Sequence, residues 1–310
     1  LRAESDHLKK LEKQFISKLN PENLESWMKV MTARPHHLGS PGAKDNSTRI
    51  LELFQSWGYQ AEIETFHVLF PTPISRKLEL TRPIHFKAAL EEMVVESDSA
   101  AEKIKAEGLP PYNAYSADGK VEGDLVYVNQ GLPRDYEVLS SMGISVKGKI
   151  VIARYGGSWR GIKPKVAAEH GAIGCIIYND PLEDGYAQGD PYPKGPFKHS
   201  SAVQRGSVVD LPRRPGDPLT PGYGSTKTAQ LLSLEESDTI MKIPVLPISS
   251  SDALPFLENL GGRIAPSTWR GALPITYRLG GVGLASVKMR LKFSWDRVPN
   301  YNIIARMEGT

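Results

Sequence analysis

Three stretches of the 310-residue sequence carry side chains suited to gripping a ligand. The first, Tyr155-Gly156-Gly157-Ser158-Trp159-Arg160-Gly161, follows directly on a strand-like apolar run. A guanidinium beside a large aromatic and between glycines is a good carboxylate clamp, because arginine offers a rigid bidentate fork. The same residues would serve equally as a solvated surface loop. Gln204-Arg205-Gly206-Ser207 and Ser267-Thr268-Trp269-Arg270-Gly271 have similar character. A further segment, Gly216-Asp217-Pro218-Leu219-Thr220-Pro221-Gly222-Tyr223, is turn-rich. Its exposed carbonyls could face a hard cation such as calcium, although taken alone it reads as a plain turn.

Residues for catalysis are harder to find. None of the seven histidines stands at His-Glu-x-x-His spacing, and none heads a His-x-Asp step of the kind that serves paired zinc ions. His36-His37 is the one adjacent pair; neighbours in sequence point apart, and no Asp or Glu beside them completes a ligand set. A loop or helix-cap role is expected there. No Gly-x-Ser-x-Gly motif is present, and Gly280-Gly281-Val282-Gly283 lacks the flanking strand and helix of a nucleotide loop. The single cysteine, Cys175, lies in the apolar run Ile173–Tyr178 and reads as a buried, inert thiol. Catalysis by these residues alone is not expected.

The elements that must position the gripping residues follow from periodicity. Leu8, Leu11, Phe15, Ile16 and Leu19 recur at helical spacing. Asn20-Pro21 then stops and restarts the helix, with Leu24, Trp27, Met28 and Met31 continuing the pattern. A third helix from about Ala43 should bury Ile50, Leu51, Phe54 and Trp57 and stop at Gly58. Strands are expected at 61–70, 123–129, 149–154, 173–178, 243–248, 288–293 and 302–307. The last reads as a strand buried in a parallel sheet. A short helix at 163–170 makes a β-α-β unit, and a helix at 251–260 has Ser250 or Ser251 as its expected cap. The sequon at Asn46-Ser47-Thr48 falls at a helix start and reads as accidental.

Composition narrows the classes of function. Thirty-eight basic and 35 acidic residues give a net charge of +3, too mild and too interspersed for nucleic acid or an anionic membrane surface. An apolar share of 40% with 24% charged residues suits a soluble globular chain, and no apolar run approaches the roughly 20 residues of a membrane span. The chain begins at Leu1 with no signal-peptide pattern, so a processed product or a fragment is expected.

Several long, unusual stretches resemble the glutamate carboxypeptidase II family of zinc peptidases, whose relatives include the catalytically silent transferrin receptors. They are Pro35–Ser40, Tyr115–Asn129 (YSADGKVEGDLVYVN), Gly148–Gly161 (GKIVIARYGGSWRG), Val203–Gly206, Gly216–Tyr223 (GDPLTPGY), Ile243–Ser249 and Ser267–Gly271. The resemblance implies an α/β fold: an incomplete zinc-exopeptidase domain interrupted by an inserted, mixed β/α protease-associated domain. The boundaries it implies are 1–69 for the first part, 70–284 for the insert and 285–310 for the resumed domain. Arg160 matches the family arginine that binds a substrate α-carboxylate, and Trp159 matches a neighbouring aromatic. Ser207 stands where human-type enzymes carry an Asn touching the glutamate side chain, which puts strict glutamate preference in doubt. Thr220 and Tyr223 match backbone contributors to a structural calcium site.

Two zinc ions, with ligands expected beyond Thr310, are implied by the same resemblance. So are a small peptide substrate with a free C-terminal carboxylate, a homodimer, and a secreted, periplasmic or membrane-anchored location. The reading is the substrate-binding front portion of a dizinc carboxypeptidase, inactive by itself. The alternative is a non-catalytic, transferrin-receptor-like binding or scaffold protein, against which the Trp159-Arg160-Gly161 clamp argues. A stand-alone protease-associated module does not account for the flanking helices and strands.

Overall fold

The computed structural model describes residues 2–95 and 97–309. The chain divides into two compact units, one of residues 1–63, 95–108 and 303–310, the other of residues 64–94 and 109–302.

The first unit holds α1 (Arg2–Lys18), α2 (Pro21–Met31), α3 (Pro41–Ser56) and α4 (Ala101–Glu107). The Asn20 side chain accepts from Glu22 N at 2.9 Å, and Ser40 Oγ accepts from Ala43 N at 3.2 Å. Each cap satisfies an otherwise orphaned amide and contributes about 1 kcal/mol. Arg34 bridges Asp45 of α3 at 3.1 Å and Glu107 of α4 at 2.5 Å. Asn46 donates to Met31 O at 2.9 Å from within α3, so the sequon is engaged in helix packing. The expected burial of α3 is corrected. Ile50, Leu51 and Phe54 are half-buried, and Trp57 is 48% exposed, with its ring 5.6 Å from both Trp27 and Phe54. The apolar stripe of α1, including Leu8 and Phe15, is likewise exposed. Periodicity fixes which face of a helix is apolar but not what covers it.

Strand β1 (Gln60–Leu69) is followed by β2 (Thr72–Arg82), β3 (Phe86–Lys87), β4 (Asn113–Ala114) and β5 (Gly119–Tyr127). Then come α5 (Pro133–Ser141), β6 (Ile150–Arg154), α6 (Ile162–Glu169), β7 (Gly174–Tyr178) and α7 (Pro181–Asp184). The remainder is β8 (Gly206–Ser207), β9 (Val245–Ile248), α8 (Ser250–Glu258), a 3-10 turn at Ser267–Trp269, β10 (Ser286–Ser294) and β11 (Arg297–Arg306). Ser249 caps α8, one residue before the expected position, its Oγ accepting from Asp252 N at 3.1 Å.

Seven strands form one sheet in the order β3-β2-β10-β5-β6-β7-β9. The β3-β2-β10-β5 half is antiparallel and the β5-β6-β7-β9 half parallel. Sequence explains the difference. In β10 the residues Val287, Met289, Leu291 and Phe293 are buried while Arg290 and Lys292 face outward, the alternation of a one-sided antiparallel strand. Strands β6 and β7 are buried at every residue, as Ile-Val-Ile-Ala and Cys-Ile-Ile-Tyr require when α-helices cover a parallel sheet. β10, read from sequence with the segment 285–310, lies between β2 and β5 and packs within the second unit. β11 differs from the expectation of a buried parallel strand: among the described residues it is half-buried to exposed, and its neighbour in a two-stranded sheet is β1. Among the described residues no helix is long and apolar enough to cross a membrane.

Candidate functional site

The carboxyl ends of parallel strands are where open α/β sheets place ligands, because the chain splays there into loops and exposed helix starts. At the ends of β6 and β7 lies a cavity of about 380 Å³. The loop after β6 supplies Tyr155, Gly156, Trp159 and Arg160; the turn after β7 supplies Asn179, Glu183 and Asp184; Gln204 completes the wall.

Three hydrogen-bond networks hold these segments. In the first, Asn129 at the end of β5 donates to Asp135 Oδ1 at 2.9 Å and accepts from buried Arg154 Nε at 3.0 Å. Arg154 Nη1 then reaches Glu183 at 3.3 Å, linking three strand ends to the cavity rim. In the second, Asn179 and Gln204 pair through Gln204 N to Asn179 Oδ1 (3.1 Å) and Asn179 Nδ2 to Gln204 Oε1 (3.2 Å). Tyr155 OH donates to Gln204 O at 2.7 Å, and burial pushes this phenol up to about 12, so it remains a neutral donor at neutral pH.

The third network centres on Asp180, which is fully buried. Its Oδ2 accepts from Tyr277 OH at 2.6 Å and Tyr178 OH at 3.1 Å. Its Oδ1 accepts from Ala272 N at 2.7 Å and Leu182 N at 3.0 Å. A buried carboxylate is tolerable only with such a full set of donors. The contact explains the glycine of Ser267–Gly271: a Cβ at Gly271 would lie 1.8 Å from Asp180 Oδ2.

Arg160 is half-buried, and its Nη1 donates to the backbone carbonyl of Ser207 at 3.4 Å. Its Nε is buried without a hydrogen-bond partner. An unpaired buried donor on a permanently charged group is costly. Trp159 lies against Gly161 so closely that a Cβ there would sit 2.0 Å from the indole. Gly206 is similarly constrained, at φ +149 with a Cβ position 2.4 Å from Arg160 Nη1. Ser207 meets Arg160 through its main chain, while its Oγ accepts from Val209 N at 3.1 Å in a local turn.

Thr220 and Tyr223 lie elsewhere in the second unit. Thr220 is buried with Oγ1 unpaired, its carbonyl accepts from Tyr223 N at 3.3 Å, and Tyr223 OH donates to Gln230 O at 2.7 Å. The nearby Asp217 carboxylate is taken up by Leu69 N and Leu219 N. Among the described residues no group of three or more His, Cys, Asp or Glu side chains is placed to hold a metal ion. His36 is exposed with Nδ1 3.2 Å from Arg34 O, as a loop residue. Burial lowers the pKa of His37.

Sequence reasoning singled out the stretch that holds Gln204 but missed Asp180, Lys163 and Asn179. The signal available for Asn179 and Asp180 was position, since they are the first and second residues after a buried strand.

A family model described as "PA domain" matches residues 121–211, which include every cavity residue named above. The chain is 36% identical over 316 aligned residues to a "Probable glutamate carboxypeptidase" of Arthroderma benhamiae, covering 98% of this chain and 43% of that protein. It is 39% identical over 175 residues to the mouse "Aminopeptidase NAALADL1", covering 56% of this chain and 23% of the relative. A solved aminopeptidase from Aneurinibacillus sp. strain AM-1 superposes with a TM-score of 0.48 at 16% identity, over 93% of this chain and 48% of that one. The chain thus spans less than half the length of the curated relatives it matches. It contains a PA domain that carries its candidate pocket, and over nearly its whole length it is homologous to part of a protein named as a probable glutamate carboxypeptidase.

Proposed function

We propose that this chain is the substrate-gripping portion of a dizinc carboxypeptidase that removes C-terminal, acidic residues from small peptides. The observation that carries the reading is Arg160, a permanent cation on a cavity wall beside Trp159. A free α-carboxylate entering there would accept from the terminal nitrogens of the guanidinium. Trp159 would cover the apolar part of the terminal residue. The described residues supply no metal cluster, so no hydrolytic step is assigned to them. Their part is to bind and orient the peptide terminus, which by itself can account for a large share of a rate enhancement. A homodimeric, extracytoplasmic whole protein accompanies this proposal.

The relative named as an aminopeptidase favours a second reading, in which a free N-terminus is the group recognised. A transferrin-receptor-like protein would bind without cleaving. The longer protein containing these residues, supplied with zinc and a library of N-acetylated dipeptides, separates the three. Release of the C-terminal residue is expected, fastest where it is acidic. Cleavage only after the N-terminus is unblocked would establish the aminopeptidase reading, and no cleavage of either set would favour the receptor-like one.

A further inference from the structure

Lys163 stands on α6, one turn beyond Arg160, and is fully buried. Its Nζ donates to two main-chain carbonyls, Gln130 O at 2.5 Å and Gly156 O at 2.9 Å. Among the described residues no salt bridge involves it. A buried ammonium without a carboxylate is expensive, and the two carbonyls that Nζ satisfies offset part of that cost. Gly156, at φ +102, turns its carbonyl inward to meet Nζ, and Gly156 is itself part of the cavity wall. Gln130 packs against the same loop: a Cβ on Gly156 would fall 2.9 Å from Gln130 Nε2.

We propose that Lys163 is a positioning residue of the Arg160 cavity, holding the Gly156 and Gln130 carbonyls away from an incoming carboxylate and adding a second positive charge beneath it. The role rests on the carboxylate reading of the cavity. It gives binding a pH dependence that Arg160, charged throughout, cannot supply. Burial lowers the lysine to about 8. Of the charged groups facing it, Asp135 on α5 and Glu183 on α7 favour the ammonium, and Arg154 on β6 opposes it; Cys175 on β7 also faces it but is a neutral thiol in this range. The neutral amine can still donate to both carbonyls, but the bonds are weaker and the charge is gone. By linkage, an anion that prefers the protonated form must also raise the lysine pKa when it binds.

The test uses the 310-residue chain and N-acetylglutamate, whose carboxylates stay ionised from pH 7 to 9.5. Calorimetry should show Kd rising nearly tenfold across that range, starting near the free lysine value of about 8 and levelling off about one unit higher, and saturating ligand should move the Lys163 titration, followed by NMR of labelled lysine, up by about that unit. Lys163→Met should bind weakly with a flat profile and lose amide-exchange protection at 156–158. If that variant does not fold, the wild-type profile and NMR shift carry the test alone. Measurable wild-type binding with no pH dependence, or a folded Lys163→Met with wild-type Kd and loop protection, overturns the role of Lys163. Absence of carboxylate binding at every pH overturns the reading of the cavity itself, and this proposal with it.

Discussion

The guanidinium of Arg160 meets Ser207 through the main chain, donating from Nη1 to the carbonyl oxygen at 3.4 Å while Nε stays buried and unpaired. One terminal nitrogen of the fork is thus held by the protein beside the cavity that Arg160 lines. Because a backbone atom makes the contact, the identity of the side chain at 207 matters less to the clamp than the closeness of the chain beside it.

That closeness is what Gly206 provides. Gly206→Ala places a methyl 2.4 Å from Arg160 Nη1, at a backbone φ of +149 that disfavours alanine. The guanidinium is the flexible partner and should give way. Carboxylate affinity is expected to fall about tenfold, with an accompanying stability loss of roughly 1–2 kcal/mol from the strained backbone. Calorimetry and urea melts on one preparation check both. Unchanged affinity would mean that Arg160 is not held where the clamp requires.

Asp180 should behave as a structural keystone. Asp180→Ala strands two tyrosine hydroxyls and two main-chain amides in a buried setting. A loss on the order of 3–5 kcal/mol follows, because unsatisfied buried donors carry their full desolvation penalty. Chemical denaturation measures it; a loss below about 1 kcal/mol would show that water replaces the carboxylate at little cost.

The stability of the fold should rise with pH just above neutrality. Lys163 keeps its proton to near 10.5 in the unfolded chain but releases it near 8 when folded. Between those values the unfolded state binds more protons, so unfolding becomes harder as pH rises. The gain between pH 7.5 and 9.5 should be about 1–2 kcal/mol for wild type relative to Lys163→Met. Buried tyrosines such as Tyr155 are raised in the fold and oppose this trend only where free tyrosine ionises, near 10. Parallel urea-melt series for the two proteins make the comparison, and superimposable pH slopes would contradict it.

Cys175 should be silent in the native protein. It is fully buried, and burial pushes its thiol up to about 12, leaving almost no thiolate at pH 8. A disulfide reagent should label it only after denaturation, at the rate of unfolding. Rapid native-state labelling would mean that β7 is reachable from solvent.

The central sheet and the Arg160 loop were legible because their signals are local. Four apolar residues in a row at β6 and β7, broken by Gly, specify buried parallel strands, and the arginine between glycines follows directly on one of them. What was not legible depends on partners distant in sequence. The apolar stripe of α1 looked like a core face and is exposed, since nothing in a periodicity says what covers it. Asp180 resembled an ordinary turn aspartate, and its importance comes from Tyr277 and Ala272, more than ninety residues away. Lys163 gave no sign at all. A lysine in a short helix is normally solvated, and only the fold shows it beneath the Gly156 carbonyl.

The most direct test of the carboxylate clamp is calorimetry with an N-acetylated acidic dipeptide and its C-terminal amide, on wild type and Arg160→Ala. Wild type should bind the free acid about thirtyfold more tightly than the amide, as a charge-assisted bidentate pair implies, and Arg160→Ala should bind both equally weakly. Equal wild-type affinity for acid and amide, or a preference for the acid that survives in Arg160→Ala, would contradict the account.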